Sequence, residues 1–183
     1  FPNTWVFLIT GLLASASARA TCDEPSSSAD LMEQLELAET AYATLDLDGF
    51  IAATDSARFL LPCVGDPVTR PVAARLHRME GLRGFVDRDQ NRSTRAFAAS
   101  RSLEPAYRFP TTLIPEGYPE LDDYVALDLN YGASIPVPPV ASGYINFDGR
   151  PGDERPTGWP TLVQVFHEDG AVLSSTYLWP FDP

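Results

Sequence analysis

Few side chains in this sequence stand at spacings that catalysis or metal binding uses. His77 and Glu80 fall one helical turn apart, close enough to share a metal ion, but zinc takes three or four ligands and a surface ion pair is the expected use of the two. Asp46-Leu-Asp48-Gly49, taken with Thr44 before it and Asp55 after it, follows part of a calcium loop. It lacks the initial Asp and the closing bidentate Glu, so it reads as a turn between helices. Asp87-x-Asp89-x-Asn91 falls short in the same way, because Arg92 stands where the loop requires Gly. His167, Glu168 and Asp169 belong to a hairpin turn, where polar residues serve solubility. Neither cysteine has a histidine within reach along the sequence, and no Gly-x-Ser-x-Gly, phosphate loop or dinucleotide fingerprint occurs. An enzyme built on Asp122, Asp123 and Asp148 would need two carboxyls of separated acidity in one cleft. The expectation is a protein without a catalytic set, cofactor or metal. The aromatic residues Tyr144, Trp159, Tyr177 and Trp179, with Phe147, are the candidates for a ligand or partner groove, against the alternative that they fill a sheet core.

The elements that would carry these residues begin with two amphipathic helices. Leu31, Leu35, Ala38, Tyr42 and Leu45 recur in steps of four and three, which puts them on one helix face. After the turn Asp46-Leu-Asp-Gly49 a second face, Phe50, Ala53, Ala57 and Leu60, runs to Pro62. The pair is an antiparallel hairpin whose small alanines allow close approach, and it needs neighbours to bury its stripe. Pro71 opens a further helix through Val72, Leu76, Met79, Leu82 and Val86, and another follows with Ala96, Phe97, Ala99 and Leu103 before Pro105.

Cys22 precedes the first helix and Cys63 follows the second, ends that an antiparallel pair brings together. A disulfide there would close a loop of about 40 residues and stabilise by about 3 to 4 kcal/mol on the chain-entropy account. A lipid-modified Cys22 is the competing reading; Arg19 and Thr21 fit that signal poorly. Disulfides belong to oxidising compartments, and the start of the sequence agrees. Trp5 to Ala14 is an apolar run with the length of a signal-peptide core, and Ala18-Arg-Ala20 supplies a cleavage site. Residues 1–20 therefore read as a signal peptide, Phe1 suggests a start lost upstream, and the mature chain is expected from Thr21, periplasmic, on the cell surface or secreted. No other stretch is long and apolar enough to span a membrane.

The chain has 183 residues, and 44 % of them are hydrophobic, enough for a core. With 13 Lys+Arg against 25 Asp+Glu the formal charge is -12, which makes nucleic acid and anionic lipid poor partners. Residues 106–140 hold Pro110, Pro115, Gly117 and Pro119, a possible strand at Tyr124 to Leu129, and a stiff extended link at Ile135 to Val140. Beyond it the period changes to two. Gly143 to Gly149, Thr161 to Phe166 and Ala171 to Trp179 read as antiparallel strands, with Glu168-Asp-Gly170 as a hairpin signal. The expected fold is α+β: helical hairpins over 21–105, packed with or linked to a small antiparallel sheet over 141–183.

Two resemblances sharpen this. Gly81, Phe97 and Pro105, with Ser100 at a small-residue position, stand at the spacing of a tetratricopeptide repeat, and Ala57 and Pro62 match in the first pair. Gly143-x-Ile145-x-x-Asp148-Gly149 with Arg155-Pro156, Trp159-Pro160 and Gln164 resembles a PEGA-type surface module, without the Pro-Glu-Gly-Ala string itself. The first implies a protein-binding scaffold and the second an accessory module of exported bacterial proteins; an ordinary four-helix unit is the competing reading of the helices. The expected function is an exported, non-catalytic adaptor that holds a protein partner on its helical hairpins. The alternative is a module that binds a glycan or small ligand through the C-terminal aromatics.

Overall fold

The computed structural model describes residues 22, 24–127 and 133–182. The signal-peptide reading of residues 1–20 lies outside them, as do residues 128 and 129 of the possible strand. Within them the fold is α+β, helices first and strands after.

α1 (Ser28–Ala43) and α2 (Leu47–Leu60) form the first hairpin, and α3 (Arg70–Val86) and α4 (Gln90–Leu103) the second. α1 opens on a capping box in which Ser27 and Asp30 bond each other's backbone N–H. Both hairpins turn in the same way. Leu45 N–H reaches Tyr42 O and Asp46 N–H reaches Ala41 O; forty-three residues on, Arg88 N–H reaches Phe85 O and Asp89 N–H reaches Gly84 O. Each is a Schellman ending, and Leu45 and Arg88 both take the left-handed conformation at φ 60°. Asp46 and Asp89 then cap the following helices, accepting from Gly49 N–H and Arg92 N–H at 3.0 Å each. The partial calcium loops are therefore helix caps.

The buried faces follow the expected periodicity at Leu31, Leu35, Ala38, Phe50, Ala53 and Ala57. Leu45 departs from it. It lies past the end of α1, 77 % exposed, because the left-handed turn residue swings out of the helical face. The Cys22–Cys63 disulfide is present, with Cα atoms 5.5 Å apart, and beside it Ser26 and Val64 form a parallel bridge. In the second hairpin, a Cβ on Gly84 would lie 2.6 Å from Ser93 N and one on Gly81 would lie 2.2 Å from the Phe97 ring, so α3 and α4 cross where only glycine fits.

Tyr124 to Ala126, read as the start of a possible strand, belong instead to a helix, α5 (Pro119–Ala126). Pro119 sits in its first turn with Glu120 and Asp122, and Tyr124 is buried edge-on against Phe97 and Phe109. A short apolar run has no period that separates strand from helix. The proline-rich link is also partly paired, since β1 (Ser134–Pro136) joins β4 (Glu154–Pro156).

The main sheet runs β3-β2-β5-β6, all antiparallel, from β2 (Gly143–Phe147), β3 (Arg150–Pro151), β5 (Thr161–His167) and β6 (Val172–Leu178). It packs on the helices, and Leu162 belongs to the helical core. The join is made by the segment between the two hairpins. Gln164 accepts from Val68 N–H at 2.7 Å and donates to Asp66 O, while Ser175 donates to Val64 O. Gly149, at φ 78°, presses against the backbone of Val68 to Arg70. α3 is consequently enclosed by helices and sheet, and buries His77, Arg78 and Glu80 as well as its apolar residues.

Candidate functional site

His77 and Glu80 are not a surface ion pair. His77 is fully buried and bridges helix to sheet: Nδ1 lies 2.8 Å from the Tyr177 hydroxyl, and Nε2 lies 2.9 Å from Asp148 Oδ1. Asp148 Oδ1 also accepts from Leu162 N–H at 2.8 Å. The proton pattern that satisfies all three places hydrogen on Nε2, with the phenol donating to Nδ1. Burial, and then the nearby Glu80 and Asp148, push the Tyr177 phenol well above its ordinary value of 10.0. A phenol so held donates a hydrogen bond and is a poor nucleophile or base, so the Asp148–His77–Tyr177 chain pins the sheet onto α3. Glu80 is clasped separately, by Arg58 through two nitrogens at 2.6 and 2.9 Å and by Arg92 at 2.8 Å. Asp122 and Asp123 are exposed on α5, where Asp123 accepts from Gln90, and they share no cleft with Asp148.

The four aromatic candidates do not converge. Tyr144 stacks on Phe166 at 4.8 Å and borders a groove along Pro136 to Val140, of about 520 Å³. Trp159 is half-buried next to Gly158, whose carbonyl accepts from Arg95. Tyr177 and Trp179 meet edge-on at 5.6 Å and line a cleft of about 290 Å³ with Arg58, Glu80 and Arg92. Trp179 also borders a neighbouring cleft of about 270 Å³ with Asp89, Asn91, Arg95 and the exposed Phe181. The Arg92 guanidinium lies over the Trp179 ring and that of Arg95 over Phe181, each 5.3 Å from the ring centroid.

A different groove lies at the turn end of the two hairpins. It measures about 500 Å³ and is lined by Tyr42, Leu45 and Leu47 from the first hairpin, Phe85 and Val86 from the second, and Tyr118. Leu45, Leu47 and Tyr118 are all large apolar side chains left exposed. Arg88, Gln90 and Glu120 complete the lining, and Glu120 is itself 3 % exposed. One of its oxygens, Oε1, accepts from the Tyr42 hydroxyl at 3.1 Å; the other, Oε2, is buried with no hydrogen-bond partner among the described residues. Burial and the Glu120 carboxyl raise the Tyr42 phenol well above its ordinary value, which keeps it a donor.

This groove escaped the sequence reading because Leu45 fits the buried stripe of α1 by spacing. The signal was the order Leu45-Asp46-Leu47, two leucines flanking a helix cap inside a turn, where apolar residues have no folding task. Comparison with protein-family models, curated proteins and solved structures finds no match to this chain.

Proposed function

We propose that this protein is an exported adaptor that holds a protein partner in the groove at the turn end of its two helical hairpins. The observation that carries this reading is Leu45: a leucine kept in a left-handed turn at 77 % exposure, at the mouth of an apolar groove. The conformation costs a non-glycine residue about 1 kcal/mol or more, and exposure returns nothing to folding. The turn needs a left-handed residue, as Arg88 shows in the second hairpin, but not an apolar one; Leu45, Leu47 and Tyr118 together form the exposed apolar patch that a binding surface presents. The disulfide supports export, since such bonds persist in oxidising compartments, and among the described residues no helix is long and apolar enough to cross a membrane. The tetratricopeptide-like reading of Asp30 to Pro105 and the PEGA-like reading of Gly143 to Gln164 belong to the same proposal. The same turn in both hairpins supports a repeated helical unit, at a spacing of forty-three residues that is about nine longer than a tetratricopeptide repeat. A photocrosslinking amino acid placed at position 47 tests the proposal. It should give a discrete adduct that the same group at Leu173, exposed on the sheet, does not give. Equal labelling from both positions, or none, counts against it.

A second reading is favoured by Trp179, which borders both clefts beside the Glu80 cluster. An aromatic face next to Asp89, Asn91 and Arg95 suits a glycan or a small polar ligand. Titrating tryptophan fluorescence with cell-wall sugars tests it: a saturable change that Trp179→Phe removes supports this reading, and a flat response counts against it.

A further inference from the structure

We infer that the groove at the hairpin turns is built for an apolar partner segment carrying one lysine or arginine, whose cationic head pairs with Glu120. The inference rests on the adaptor reading above and adds the chemistry of the partner. A buried carboxyl oxygen without a partner carries an uncompensated desolvation cost, larger when charged, so such a group persists where something else satisfies it. Glu120 Oε2 is in that position among the described residues, while Oε1 is already fixed by Tyr42. A partner segment that covers Leu45, Leu47 and Tyr118 would exclude water from the groove and so strengthen an ion pair formed there. A net charge of -12 favours a basic segment over an acidic one at long range. Arg88 is the opposing charge, exposed on the rim, and its removal should sharpen the preference for a cation.

The test uses the disulfide-bonded protein and short leucine-rich peptides that differ only at a central lysine, norleucine or glutamate, with binding followed by NMR at the Leu45 and Leu47 methyls. The lysine peptide should bind at least tenfold more tightly than the norleucine peptide, and the glutamate peptide most weakly. Glu120→Gln should bring the lysine and norleucine peptides together, and Arg88→Ala should widen the gap between them in the wild-type background. Melting curves confirm that both variants are folded. Equal binding of the lysine and norleucine peptides to the wild-type protein overturns the inference and leaves an apolar adaptor groove standing. Failure of all three peptides to bind also overturns it, and the crosslink at position 47 then decides the adaptor reading separately.

Discussion

Leu45 and Asp148 occupy the same strained backbone region, and they are strained for different reasons. Asp148 sits at φ 51°, and its carboxyl joins the His77 ring to the Leu162 N–H inside the helix–sheet seam. Asp148→Ala strips both donors of their acceptor and should cost about 3 kcal/mol in chemical denaturation, whereas Asp148→Asn, which keeps the acceptor and suits the left-handed turn, should cost less than half of that. Leu45 has no such partner, and Leu45→Gly should raise unfolding stability by about 1 kcal/mol. The phenols give a pH signature. Tyr42, Tyr107, Tyr124 and Tyr177 are all raised, first by burial, so the folded state holds their protons more tightly than the unfolded chain does. Their stabilising contribution is complete below the unfolded value near pH 10 and is lost as pH rises above it. Stability should therefore fall steeply above about pH 10, and Tyr177→Phe should reduce that slope. His77 itself stood out in the sequence, but its role did not: a histidine one turn from a glutamate gives no sign that its partners lie 71 and 100 residues away.

Among the elements, the helical periods of the first hairpin and the three strands were legible because each buries one face, which writes its period into the residue types. α3 was not. It is enclosed on most sides, so its polar residues read as a solvent face while each is in fact paired, Arg78 with Glu104 at 2.6 Å and over the Tyr107 ring, and Glu80 with two arginines. α5 was missed because its apolar content is one buried tyrosine and a few flanking residues, too short to show a period. The disulfide was legible from order alone, since antiparallel helices fix which ends meet. Two measurements test the element scale. Cys63→Ser should lower stability by about 3 to 4 kcal/mol, the entropy of reopening the loop. Gly84→Ala should cost about 2 kcal/mol or more, because the α4 backbone at Ser93 cannot yield as a flexible side chain would.

For the molecule as a whole, the segment between the hairpins is what makes one body of helices and sheet. Val64, Asp66 and Val68 offer their backbone to Gln164 and Ser175, and the Asp148–Gly149 turn locks in beside them. The sheet lies along α3, and its end at Trp179 reaches Asp89 and Asn91 beside the second turn, while the groove at Leu45, Leu47, Phe85 and Val86 is lined by helical and turn residues alone. The most direct test is Leu45→Gly, read for unfolding free energy and for crosslinking from position 47 in the same preparation. Higher stability together with loss of the adduct is the result that the proposed adaptor role predicts. A protein stabilised by the change that still gives the full adduct would contradict the account.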